Sequence, residues 1–210
     1  MTSVWLNGYA GMTEPAPELA LAAICGELRR LGRRFALVGG LAVSVRAEVR
    51  FTRDVDIAVA VADDSEAESL TYELRLAGYS AVASVEHETR HRLSTVRLMS
   101  PSGVKVYLLF ASSGIEAEIV ERATSIDFEG AGSVPVANAE ELLAMKVLSM
   151  TDTRLQDRID AQHLLQFTPS LDIACVREHL ARITDRGYAR EQDLEAKLEV
   201  VLHDVGYLKR

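Results

Sequence analysis

The feature that most constrains this chain is a short apolar run, Phe35-Ala36-Leu37-Val38, that stops at Gly39-Gly40 and is followed, after a helix-length insert, by Asp54-Val55-Asp56. From Asp54 onward, Val55, Ile57, Val59 and Val61 alternate with Asp54, Asp56, Ala58 and Ala60. This alternation predicts a strand with one apolar face and one face that starts with two carboxylates. Carboxylates at i and i+2 of a strand project to the same side, about 7 Å apart. A strand ending at Gly-Gly can bring backbone N–H groups against a phosphate, because no Cβ blocks the approach. Hard divalent cations held by such a carboxylate pair can sit against a nucleoside triphosphate. The order therefore points to nucleotidyl transfer. Asp-x-Asp also occurs in sugar-nucleotide transferases, but those require a doubly wound parallel sheet, whereas the hairpin expected over 92–110 predicts a mixed one.

Composition narrows the partners. The net charge of −8 argues against a protein that coats nucleic acid by bulk electrostatics, although arginines cluster at 29–34, at 46–53 and at 90–92. The two cysteines, Cys25 and Cys175, lie far apart in apolar helical contexts and read as buried free thiols of a reducing compartment. No basic segment followed by an apolar core opens the sequence, and no run approaches the roughly 18 apolar residues of a membrane span. The expectation is a cytoplasmic protein without a membrane partner.

Periodicity places helices over 19–31 and 41–49 and a helix closing at Gly78, with Ser65 and Glu68 as its capping box. Strands are expected over 79–85, 92–99 and 104–110, and a helix over 115–124. Residues 128–133 read as a glycine-rich connector. Asn138 and Glu141 predict a capped helix to about Met150, followed by helices over 153–166, 172–184 and 189–203. The expected fold is α+β: a mixed sheet flanked by helices over 16–133, then a helical bundle over 134–210.

Taken together, strand, Gly-Gly, insert and Arg50-x-Thr52-x-Asp54-x-Asp56 resemble the nucleotidyltransferase superfamily with the DNA polymerase β palm. Within it the sequence is most similar to the AbiEii-type toxins of type IV toxin–antitoxin systems. The likeness is carried by LVGGLAV at 37–43, RFTRDVDIAV at 50–59, LLFASSGIEAEIVERA at 108–123 and LLAMKVLSMTDTRLQDRIDAQHLL at 142–165. It implies that Gly39 and Gly40 cradle the triphosphate and that Asp54 and Asp56 bind Mg²⁺, with Mn²⁺ as a substitute. It also implies that Lys146 faces the nucleotide, that Asp157 orients that lysine or the nucleotide, and that Arg50 and Thr52 support the site. The implied partners are a nucleoside triphosphate, an RNA (tRNA-like) or protein acceptor, and a cognate antitoxin.

The sequence departs from the family at Tyr107. The strand before LLFASSG usually carries an aspartate, the third carboxylate, which binds one metal and accepts the acceptor's proton. A phenol with a pKa near 10 does neither at neutral pH. This departure keeps a second expectation open, a nucleotide-binding homologue without catalysis. One other motif is refused. His87-Glu88-Thr89-Arg90-His91 matches the zinc-protease pattern, but it lies between two strand-like stretches and not on a helix.

Overall fold

The computed structural model describes residues 17–87 and 92–207. In chain order its elements are α1 (Pro17–Arg30), β1 (Phe35–Val38), α2 (Gly39–Arg46), β2 (Asp54–Val59), α3 (Asp64–Leu76), β3 (Ser80–Glu86), β4 (Leu93–Met99), β5 (Lys105–Leu109), α4 (Glu116–Arg122), β6 (Thr124–Phe128), β7 (Gly132–Val136), α5 (Ala139–Ser149), α6 (Leu155–Phe167), α7 (Ile173–Asp185) and α8 (Leu194–Asp204). The strands form one seven-stranded sheet in the order β3-β4-β5-β2-β1-β7-β6. β2 runs antiparallel to β1 and parallel to β5, so the sheet is mixed and the doubly wound alternative is excluded.

Alternation decides what each face carries. Val55 and Ile57 of β2, Val106 and Leu108 of β5, and Val96 and Leu98 of β4 are buried on one face. α1 and α4 pack on β2, and α3 lies against β3 and β4. Asp54 and Asp56 project from the other face, in register with Lys105 and Tyr107 of β5. Beyond β5 the same row continues to Arg97 of β4, which pairs with Tyr107. α2 starts directly at Gly39 and packs on β2, α5 and α6. It thereby joins the sheet to the four C-terminal helices.

Several local expectations are corrected. Residues 128–133 are not a plain connector: Gly130 and Gly132, with φ of 80° and 67°, turn β6 back onto β7. β7 then pairs in parallel with β1, so the boundary expected at 133/134 falls inside a strand. These two strands are short and largely exposed, which erases the alternation that announces a strand. The cap of α3 is Asp63, whose Oδ1 accepts from the Glu66 N–H, while the Glu66 carboxylate accepts from the Ala62 N–H. That exchange is shifted two residues from Ser65 and Glu68. Asn138 does not cap α5 through its side chain. Its Oδ1 accepts from Thr124 and its Nδ2 donates to the Arg122 carbonyl, while Glu141 is buried against Arg122 and His179. Cys25 is buried and free as expected, whereas Cys175 is only partly buried.

Candidate active site

The two glycines are required by side chains of the site itself. Gly39 has φ of 65°, and a Cβ there would lie 2.0 Å from Asp56 Oδ2. A Cβ on Gly40 would come within 2.7 Å of the Arg50 guanidinium and 2.9 Å of Thr52 Oγ1. The turn is thus pressed against the carboxylate on one side and its supporting residues on the other, and the Gly40 N–H donates to Asp56.

Asp56 is held in an environment that resists its charge. Burial, opposed by Lys146 and reinforced by the neighbouring Asp54, raises its pKa from 3.8 to about 6. No ion pair within salt-bridge distance reaches either Asp54 or Asp56 among the described residues. Two adjacent carboxylates, one desolvated and neither neutralised, form a donor set that suits a hard divalent cation. Among the described residues no group of three or more His, Cys, Asp or Glu side chains could hold a metal, so the pair stands one ligand short of a triad.

The raised pKa has a measurable consequence in the metal-free protein. The unfolded carboxyl ionises near 3.8 and the folded one near 6, so ionisation favours unfolding across that interval. The penalty is absent below pH 4 and complete above pH 6. Asp56→Asn is therefore expected to stabilise the metal-free protein at pH 7 by about 1–3 kcal/mol. Urea denaturation should show a higher midpoint for the variant at pH 7 and coincident midpoints at pH 4.

Behind the carboxylates lies a buried charge network that ties sheet to helices. Lys146 Nζ on α5 contacts Asp157 Oδ1 at 2.8 Å and Asp160 Oδ2 at 2.7 Å, both on α6. Asp160 is fully buried and also receives Arg50, through Nε at 2.7 Å from Oδ1 and Nη2 at 2.9 Å from Oδ2. Gln156 donates to the same carboxylate at 2.9 Å, and Arg154 pairs with Asp157 at 2.8 Å. The site residues read from the sequence are thus brought together around β2, α2 and α5–α6. Asp157 touches Lys146, and the Thr52 Oγ1 faces the Gly40 backbone. Asp160 is not among the site residues expected from the sequence. It lies at i+3 from Asp157, the spacing that puts both carboxylates on one side of the helix.

Tyr107 occupies the register position beside Asp56 where a third carboxylate would project. The Arg97 guanidinium lies over its ring, 5.0 Å from the centroid. Burial first, then the charge of Asp54, pushes its phenol above the usual value, so at neutral pH it keeps its proton.

A sequence profile runs over nearly the whole chain. That profile, described as nucleotidyl transferase AbiEii toxin, type IV TA system, matches residues 23–205. The chain belongs to the AbiEii family. No curated protein matches it in sequence. Among solved structures, it is similar to an antigenic nucleotidyltransferase-like protein from Paracoccidioides brasiliensis. That likeness has a TM-score of 0.50 at 17% identity and covers 90% of this chain and 94% of that one. The solution structure of the antibiotic-resistance factor ANT(2'')-Ia has a TM-score of 0.49 at 13% identity and covers 83% and 95%. The first of these establishes the nucleotidyltransferase fold for this AbiEii-family chain. Of the His87–His91 segment, His87 follows β3 and stands edge-on to Tyr188 with ring centroids 4.5 Å apart, while 88–91 lie outside the described residues. No described helix is long and apolar enough to cross a membrane.

Proposed function

We propose that this protein is a Mg²⁺-dependent nucleotidyltransferase that moves a nucleoside monophosphate from a triphosphate to an acceptor hydroxyl, releasing pyrophosphate. The observation that carries this reading is the pair Asp54 and Asp56 set against the Gly39-Gly40 turn. A divalent cation held there would neutralise phosphate charge and align the triphosphate. The chain's own residues do the remaining work. Gly39 and Gly40 leave room at the floor, and Gly40 keeps a backbone N–H on Asp56. Lys146 supplies positive charge beside that carboxylate, with Asp157 and Asp160 fixing its ammonium group. Arg50 anchors α6 through Asp160, and Thr52 fills the space against the glycine turn. The acceptor is RNA or a protein hydroxyl, the compartment is the cytoplasm, and a cognate antitoxin regulates the activity. We further propose that the sheet and its flanking helices, up to the end of β7, form the catalytic unit, with α5–α8 as the helical unit.

The test is transfer of radiolabel from each α-labelled triphosphate to total RNA and to total protein. Label should appear with Mg²⁺ or Mn²⁺, vanish with a chelator, and fall at least tenfold in Asp54→Asn. Unchanged transfer by that variant would remove the metal assignment.

Tyr107 favours a second reading, a domain that binds the triphosphate without turning it over. Calorimetric titration with the four triphosphates separates the two, since binding without transfer supports the second.

A further inference from the structure

A row of side chains crosses the sheet at the level of the site. Asp56 of β2 is in register with Tyr107 of β5, and Tyr107 with Arg97 of β4. Residues paired in this way share one face, on strands about 4.8 Å apart. A carboxylate at 107 would stand next to Asp56 and complete a donor set for two cations, which in two-metal sites lie about 3.5–4 Å apart. The row instead runs carboxylate, phenol, guanidinium. It places a fixed positive charge one strand beyond the position that lacks the carboxylate.

Arg97 is held in place there. Its guanidinium lies over the Tyr107 ring, 5.0 Å from the centroid, where the face of the ring attracts a cation. Its Nε is buried and has no hydrogen-bond partner among the described residues, a costly state for a charged donor. Arg33 and Arg50 also carry a buried Nε of this kind, but their guanidinium groups meet Glu66 and Asp160. Exposed arginines such as Arg29 likewise have no carboxylate partner, so that lack alone singles out nothing. What distinguishes Arg97 is its place in the row that starts at Asp56.

The donor set around the aspartates suits a single metal ion. Asp54 and Asp56 can hold one cation, whereas a second would meet only the protonated Tyr107 phenol. Lys146 supplies positive charge from the α5 side of Asp56, and Arg97 is the cation on the β4 side. Arg97 and Tyr107 both line an open cleft of about 930 Å³, so a substrate can reach the guanidinium. Glu86 and Glu191 line the same cleft, and neither forms a salt bridge with Arg97. The planar guanidinium fork matches the oxygens of a phosphate.

We propose that Arg97 takes the place of a second metal ion, so that this protein works with one divalent cation and one guanidinium. This rests on the transfer reading given above. Arg97 donates to a non-bridging oxygen of the α-phosphate, where charge develops during transfer. The acceptor hydroxyl oxygen bonds to that phosphorus as the bond from the phosphorus to the bridging oxygen breaks. Pyrophosphate leaves with the electron pair, and the hydroxyl proton passes to water. The guanidinium stays protonated throughout, so Arg97 contributes charge and moves no proton. Tyr107 is a positioning residue: its ring seats the guanidinium, a task that needs no hydroxyl.

The test counts metal ions separately from the rate. Titration of Mn²⁺ followed by electron paramagnetic resonance, with a non-hydrolysable triphosphate present, should give one site per chain in the wild type. Tyr107→Asp combined with Arg97→Gln should give two, because the new carboxylate then has no guanidinium to pair with. Arg97→Ala should keep the count at one and change triphosphate affinity less than threefold, while transfer falls about a hundredfold. Millimolar guanidinium ion should restore part of that loss, and Arg97→Lys should retain part of the rate. Tyr107→Leu should lower transfer at least tenfold without altering the Mn²⁺ count. With a wild type that transfers, three results overturn the inference and leave the transfer reading standing: two Mn²⁺ sites, transfer by Arg97→Ala within threefold of the wild type, or a loss that neither guanidinium nor lysine relieves. A wild type that transfers label to neither RNA nor protein removes the transfer reading, and the inference falls with it.

Discussion

Tyr107→Asp is expected to raise nucleotidyl transfer by roughly 10²–10⁴-fold, the usual contribution of a positioned general base. The position is the register partner of Asp56, so a carboxylate placed there joins Asp54 and Asp56 on one face of three adjacent groups. The native phenol cannot serve in its place. Burial and the charge of Asp54 hold its proton on well above neutral pH, and Arg97 already occupies its ring. Tyr107→Phe should leave transfer unchanged, because it removes a hydroxyl that neither binds metal nor takes up a proton. The gain in Tyr107→Asp should come with a cost in the metal-free state, since a third carboxylate adds repulsion beside a carboxyl already raised to about 6. Addition of Mg²⁺ should recover that stability in proportion to occupancy. Equal rates for wild type, Phe and Asp variants, measured with the same acceptor, would show that no carboxylate is missing from this position.

Asp160→Ala should destabilise the fold by about 3 kcal/mol, the lower end for removing one member of a buried ion-pair network. The carboxylate is fully buried and takes contacts from Lys146, Arg50 and Gln156, so its loss strands two cations that lie mostly out of solvent. Lys146 retains Asp157, which keeps the effect below the upper end of the range. The pH dependence has the opposite sign to that of Asp56. Although burial opposes ionisation, Lys146 and the hydrogen bonds to the carboxylate hold Asp160 below its ordinary value of 3.8. Its stabilising contribution is therefore complete above about pH 4 and is lost as the pH falls through the folded value. Denaturation midpoints of wild type and Asp160→Ala should differ most at pH 5–8 and converge below pH 4. Asp160→Asn keeps the shape and one of the two acceptor oxygens but not the charge, and should fall between them. A gap that stays constant down to pH 3 would mean that packing, not charge, is what the carboxylate provides.

The centre of the molecule was legible because its signals are local. Four apolar residues before Gly39-Gly40 and six alternating positions from Asp54 define two strands and the face they present. The residues that complete the site are not local. Asp160 reads as one more charge on an ion-paired helix until α6 docks and buries it. Arg97 stands on the outward side of an alternating strand, where an arginine is unremarkable without knowledge of Tyr107 beside it. The β6–β7 hairpin escaped for another reason: a sheet edge in contact with solvent has little apolar content to alternate.

The Lys146 network also sets the order in which the charges around the aspartates come together. The glycine turn and both aspartates are made by residue 56, yet the ammonium group beside them waits on α5 and the carboxylates that hold it wait on α6. A ribosome-bound chain that has folded only its sheet would hold a carboxylate pair without its counter-cation. The positive charge beside Asp56 therefore arrives only when the last third of the chain has been made and its helices have docked on the sheet.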